Sequence, residues 1–353
     1  MPFAEVSMTL ELILGSAVVT AAGLISGSAA WPMKLMRRYQ FEHWWFIGMA
    51  TGLIMVPWTI TLTCCPHVFQ ACASMALKPL VVANLLAAGW GMANTICGAC
   101  YVRIGLALTT AILSGVGLSV GAIVPMILKG SGVFHRATSL ASPAGLTVLA
   151  GIGLMLVGTV SAGLAGCGRE RALAQSERKS GKFLQTLVLV LVAGVMSCGM
   201  SLSFVYGQET VVAAMERAGA AHLPATFAVW AFCLPGGALS CLVYPMWLMT
   251  RNKSWDVLGK SWKEMSLAAV IGINAAAAVA LLGSGMLMLG PLGATVGFAI
   301  QQAAWMLGGQ GAGFISGEWR GVRGRPRKQM VLAIGLMLVA ILILACANAL
   351  VRS

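Results

Sequence analysis

Charge is what this chain has least of. Its 353 residues include 23 Lys and Arg, 10 Asp and Glu and 4 His, so charged side chains make up 9%. A soluble domain carries roughly 25%, and so few charges cannot cover the surface of a water-soluble fold this long. Alternation of polar and apolar residues is missing too, which excludes a barrel of ~10-residue alternating strands. His43, His67, His135 and His222 fall at predicted helix ends or in loops, without metal-ligand spacing or a nucleophile beside them. The composition therefore implies no metal, no cofactor and no enzyme. Cys97 and Cys100 form a lone C-x-x-C inside an apolar run and read as small packing residues. Cys64, Cys65 and Cys72 flank one loop, where a disulfide could form in an oxidising compartment. The first apolar run has no basic stretch before it and is span-length, so it does not read as a cleavable signal peptide.

What is abundant is apolar length. Hydrophobic residues make up 59% of the chain and its mean hydropathy is +0.87. Segments near the ~20 residues that a transmembrane helix requires recur throughout. They predict an all-α integral membrane protein of ten spans, at about 8–30, 43–64, 79–101, 105–127, 142–166, 183–206, 223–249, 264–288, 291–315 and 329–350. "YVRIG" is read as a tight turn between spans three and four. Pro57, Pro125 and Pro235 lie inside spans, where each removes a backbone donor and kinks the helix.

The net charge of +13 is not spread evenly. Eighteen of the 23 Lys and Arg fall in the odd-numbered connections and five elsewhere. By the positive-inside rule the odd loops are cytoplasmic, so both termini face the periplasm and the protein sits in the bacterial inner membrane. The cationic runs "RERALAQSERKSGK" and "EWRGVRGRPRK" then lie against anionic lipid of the bilayer rather than nucleic acid.

The basic segment 168–182 separates a first five-span repeat, 1–167, from a second, 183–353. "AAGLISGSA" (Ala21–Ala29) resembles "VAGVMSCGM" (Val192–Met200), pairing Gly23 with Gly194 and Ser26 with Ser197. An odd number of spans per half gives the copies opposite orientation. Inverted repeats of this kind mark secondary transporters, whose substrate cavity lies near the midplane. The 43 glycines are mostly read as close helix packing.

Polar residues inside spans are costly and mark candidate pathways. In "GWGMANTICGACYVRIG", Trp90, Asn94, Cys97 and Tyr101 share one helical stripe, while Gly91, Thr95 and Gly98 share the neighbouring one. In span nine, "AIQQAAWML" places Gln301, Gln302 and Trp305 together. Amides match hydroxyl groups without imposing charge and tryptophan offers a flat apolar face, so Trp90, Asn94, Gln301, Gln302 and Trp305 point to a small neutral sugar. Interhelical hydrogen bonding is the competing role for the amides. Ser26, Ser197, Ser201 and Ser203 are weaker candidates, because serine often bonds its own helix backbone. Among the carboxylates only Glu11, in the first turn of span one, and Glu209, just past the outer end of span six, could border an outward cavity and carry protons. For Glu11 the competing role is stabilisation by the helix N-terminal dipole.

The stretches "PMKLMRRYQFEHWW", "VPWTIT", "GWGMANTICG", "MSCGMSLSF" and "EWRGVRGRP" together resemble the L-rhamnose–proton symporter family, in the drug/metabolite transporter superfamily. The resemblance runs in order along nearly the whole chain. It implies ten helices in two inverted repeats, outward termini, and uptake of a deoxy-sugar with protons by alternating access. Trp90 and Asn94 take the family's Trp-Gly-x-x-Asn positions, and Trp305 matches a tryptophan of its ninth helix. Gln301 stands where the family pattern carries an aspartate, and a family histidine in the first helix has no counterpart. The alternatives are a facilitator or exporter of another neutral metabolite, and a non-transporting membrane scaffold.

The charge asymmetry makes a direct prediction. Cysteines introduced in "SERKSGK" or "GVRGRP" should react with an impermeant thiol reagent only from the cytoplasmic side; labelling in intact cells would reverse the topology.

Overall fold

The computed structural model describes residues 2–104, ten positions between 109 and 127, 141–173, 180–290 and 293–352. Among these residues the chain is all-α, without strands. The helices are α1 (Pro2–Ser28), α2 (Phe41–Ala50), α3 (Val56–Cys64), α4 (Val68–Ala73), α5 (Leu77–Ile104), α6 (Pro143–Leu173) and α7 (Ser180–Ser197). They continue with α8 (Gly199–Arg217), α9 (His222–Cys233), α10 (Pro235–Asn252), α11 (Trp262–Met288), α12 (Phe298–Ile315) and α13 (Arg325–Arg352). Among the described residues, seven segments are long and apolar enough to cross a membrane, and the bent pair α9–α10 makes up to eight. Large apolar side chains such as Leu85, Val160 and Leu342 point outward from them, as lipid contact requires.

The ten predicted spans are thus not all recovered. Span four falls in 105–127, where the described positions are helical and the others, Pro125 included, lie outside the described residues. Span nine is α12, which carries three glutamines and is not among those seven segments. The predicted "YVRIG" turn is helix as far as Ile104, so Arg103 belongs to the last turn of α5. Span six runs eleven residues further than predicted, through a break at Cys198 and on to Arg217. It ends where Gly219 takes φ 93°, letting the Ala220 N–H reach back to the Met215 carbonyl at 3.0 Å. All ten cysteines, Cys64, Cys65 and Cys72 among them, are free thiols.

The chain packs as two compact units, each drawing helices from both halves of the sequence. One comprises Met1–Ser28, Cys100–Val195 and Gly285–Ser353; the other comprises Ala29–Ala99 and Met196–Ser284. In the first, α6 lies along α13 and α1 along α12. Ser142 starts α6 by accepting the Gly145 N–H at 3.0 Å, with Pro143 at the first helical position. Arg169, at the far end of α6, reaches Glu318 at 2.7 Å and lies over the Trp319 ring, tying α6 to the segment before α13.

In the second unit, Gly48 of α2 and Gly52, just past its end, meet Gly272 of α11. A Cβ at Gly52 would fall 2.5 Å from the Gly272 carbonyl oxygen, so only glycine permits this approach. One π-type turn, Thr51–Met55, separates α2 from α3 just before Pro57. At Pro235, the third predicted kink, α9 and α10 meet at a bend of 47°.

At one end of this unit the buried Glu264 carboxylate gathers the loop before α2. It accepts the backbone N–H groups of Arg37, Arg38 and Tyr39 at 2.7–3.2 Å. The Tyr39 hydroxyl donates to the Leu258 carbonyl at 2.6 Å, and burial, then the Glu264 charge, raise its pKa above the ordinary tyrosine value. Asn252 donates to Glu42 at 3.1 Å and His43 meets Ser254 at 3.1 Å. The "RRYQFEHWW" stretch is therefore a fastening of two connections. Glu264→Ala would strand the buried Tyr39 N–H and release the part-buried ones of Arg37 and Arg38, and should lower the detergent-solubilised Tm by roughly 5 °C, with Glu264→Gln falling between. An unchanged Tm would show that the carboxylate holds nothing together.

Candidate functional site

In the first unit the candidate residues Ser26, Gln301, Gln302 and Trp305 come together on α1 and α12. Two glycines of α1, Gly23-x-x-x-Gly27, bring the helices to backbone contact. A Cβ at Gly23 would lie 2.5 Å from the Gln301 carbonyl oxygen, and one at Gly27 2.0 Å from that of Trp305. Gly308 makes the reciprocal approach, 2.4 Å from the Leu24 carbonyl oxygen. Ser26 shares the helix face of Gly23 and Gly27 and is half-buried.

Gln301 is 9% exposed and Gln302 5%, yet neither amide has a hydrogen-bond partner among the described residues. The same holds for the Ser26 hydroxyl and the Trp305 indole N–H. Neither amide is among the fully buried side-chain groups without a partner, so its donors and acceptors keep access to solvent although most of the side chain is covered. Such an arrangement suits donors and acceptors reserved for a polar solute.

In the second unit Trp90 and Asn94 stand one turn apart on α5, both half-buried. The Asn94 Nδ2 reaches only sulfur, Met49 Sδ at 3.5 Å and Cys241 Sγ at 3.8 Å. Sulfur is a weak acceptor, and Asn94 Oδ1 has no partner among the described residues. Gly91 and Gly98, on the neighbouring stripe, are packed closely. A Cβ at Gly91 would lie 2.2 Å from the Gly237 carbonyl oxygen, and one at Gly98 2.4 Å from the Trp45 ring. Cys97 is fully buried, and Tyr101 lies past the end of this unit.

The remaining candidates are placed differently. Ser197 is buried where α7 gives way to α8. Ser201 donates to the Cys198 carbonyl and Ser203 to that of Cys233, each at 3.2 Å, so both hydroxyls serve the backbone. Glu11 is exposed and lies nine residues past the start of α1 rather than in its first turn, which removes the helix-dipole role. Glu209 is likewise exposed and sits in the body of α8, not beyond a helix end. The carboxylates of the spans that are buried, Glu42 and Glu264, are both held by N–H donors at helix ends.

One residue escaped the sequence reading. Asn84, two turns before Trp90 on α5, places its amide at the α9–α10 break. Its Nδ2 donates to the Phe232 carbonyl and its Oδ1 accepts the Gly236 N–H, both at 2.9 Å. A span containing Pro235 needs such a partner from elsewhere, but its location in sequence is invisible.

A 214-residue stretch is 27% identical to the L-rhamnose-proton symporter of Yersinia pestis bv. Antiqua (strain Antiqua), covering 60% of this chain and 60% of that protein. The symporters of Yersinia pestis (strain Pestoides F) and Yersinia pseudotuberculosis serotype I (strain IP32953) match to the same extent. The aligned stretch thus spans about 60% of the length of these curated relatives. The model of the L-rhamnose-proton symport protein (RhaT) family matches residues 8–350, and the chain belongs to that family.

Proposed function

We propose that this protein carries L-rhamnose or a related neutral sugar across the bacterial inner membrane together with protons, by alternating access about a midplane cavity. One observation besides family membership carries the reading: Gln301 and Gln302 are buried residues whose amides have no partners among the described residues, beside Trp305. Ser26 adds a hydroxyl to that set, and Trp90 and Asn94 form a second set of sugar contacts. Ser197 is retained as a weaker contact, and Glu11 and Glu209 as the weaker candidates for handling protons.

The inverted repeat, with halves 1–167 and 183–353 joined by the basic segment 168–182, draws support from the packing within each unit. Gly23 of span one packs on span nine, and its counterpart Gly194 of span six packs on Val116 of span four. Spans two and eight meet at Gly52 and Gly272, while spans seven and three meet at Gly236 and Asn84. Gly199 of span six approaches span three at Leu86, and Gly285 of span eight approaches span one at Val19. Each seam has a partner five spans away, as a two-repeat transporter of the drug/metabolite superfamily requires. Ten spans and two outward termini complete this topology.

A facilitated route without protons is the second reading, favoured by Gln301 standing where the family pattern has an acid. Uptake of radiolabelled L-rhamnose into proteoliposomes separates the two. Stimulation by an inward proton gradient supports symport, equal uptake without it supports facilitation, and no uptake under either condition overturns the sugar reading.

Two substitutions sharpen the test. Asn94→Ala removes contacts worth ~0.5–1.5 kcal/mol each and should raise the apparent KM about three- to tenfold while leaving Tm near wild type. Trp90→Ala should follow it. A lower Tm with unchanged KM would assign Asn94 to helix packing. Gln301→Asp introduces an ionisable group and should shift or strengthen the pH dependence of uptake. An unchanged pH profile in a mutant that still transports would remove this position from coupling.

A further inference from the structure

The break between α9 and α10 is closed by a side chain from another helix. In an unbroken helix the Gly236 N–H would bond the Phe232 carbonyl. Here the Asn84 amide stands between them, accepting from Gly236 and donating to Phe232 at 2.9 Å each. Pro235, at the first position of α10, has no N–H to offer, and Ser203 takes the next carbonyl, that of Cys233, at 3.2 Å. A primary amide has the donor and acceptor of a peptide unit, so Asn84 replaces one missing rung of the ladder.

The clasp fixes more than the bend. A Cβ at Gly236 would lie 2.3 Å from the Asn84 carbonyl oxygen, and one at Gly237 2.8 Å from that of Ala87 and 3.0 Å from the Trp90 ring. One turn further, the Cys241 thiol donates to the Gly91 carbonyl at 3.4 Å, and Asn94 Nδ2 points to its sulfur. From Asn84 to Asn94, every turn of α5 therefore meets α10 at a set register, beginning at the clasp.

We propose that Asn84 is a positioning residue for transport: its amide holds the broken helix in the register that sets Gly237 and Cys241 against Trp90 and Asn94. The proposal rests on the reading of Trp90 and Asn94 as sugar contacts. Asn84 itself, spent on the backbone groups of Leu80, Phe232 and Gly236, is not a sugar contact. The bend is required as well as the bonds, because a straightened helix would carry Gly237 and Cys241 away from those two side chains.

The test uses Asn84→Leu, which keeps the volume and removes donor and acceptor, alone and combined with Pro235→Ala. The second change restores an N–H at 235 and lets the helix close its own ladder. Asn84→Leu should lower Tm and raise the apparent KM for L-rhamnose about tenfold. The double variant should recover Tm but keep the raised KM, and it carries the test where the single variant does not fold. A wild-type KM in Asn84→Leu, or recovery of both Tm and KM in the double variant, overturns the proposal. Alkylation of Cys241 by N-ethylmaleimide in detergent, read by peptide mass spectrometry, provides a measure independent of sugar. The wild-type thiol should be protected, and that of the double variant should react about tenfold faster; equal protection overturns the proposal. If the wild type takes up no L-rhamnose, the transport reading falls and the register is judged on alkylation alone.

Discussion

Hydrocarbon offers no hydrogen bonds, so every backbone N–H and C=O within a span must find its partner inside the protein. Most of this chain meets the constraint by remaining helical. Where helices must also come close, the glycines at 23, 27, 48, 52 and 272 let backbones touch while leaving each ladder intact. Lipid provides no hydrophobic drive for association, so close contact over such seams supplies much of what holds the helices together. A single added methyl at Gly27 would collide with the Trp305 carbonyl, and the α1–α12 pair would have to separate.

Where the ladder is interrupted, the substitute partners are specific. Asn84 and Ser203 replace the lost partners at Pro235, and a π-type turn prepares the helix for Pro57. At one end of the second unit Glu264 serves the non-helical loop before α2 in the same way, receiving three successive N–H groups. These side chains are polar but committed, and they set the background against which Gln301 and Gln302 stand out. Both are buried to much the same extent as Glu264 and have no protein partner among the described residues.

Much of this was legible from the sequence. Apolar length gave the helical membrane class, and periodicity placed Gly91 and Gly98 on a packing stripe separate from Trp90 and Asn94. Helix ends were read less well, because polar residues at span termini stay helical: α5 includes Arg103 and α8 reaches Arg217. Span nine was visible by its amides but is not among the seven segments long and apolar enough to cross. Roles that depend on tertiary contact left no local trace. Asn84 looks like any span amide until Phe232 and Gly236 are seen beside it, and Ser203 looks like a ligand contact until Cys233 is. Proline at 235 announced the break but not its remedy.

The chemistry of an amide at position 301 bears on coupling. A carboxyl group can both donate and accept only when protonated; ionised, it accepts alone. An aspartate at this position therefore offers a sugar hydroxyl two different partners depending on its proton, which is how binding of one can depend on binding of the other. Glutamine presents donor and acceptor together at every pH. In the proposed site, Gln301 thus resembles the protonated form of the acid that the family pattern places there. A carrier built this way would hold its sugar without waiting for a proton at that residue. Any proton movement must then be handled elsewhere, and the buried carboxylates Glu42 and Glu264 are already engaged by N–H donors. Exposed Glu11 and Glu209 remain, and neither makes an ion pair among the described residues. On the proposed reading, a proton that is coupled to transport is carried by a group other than the span-nine amides, or the cycle turns without one.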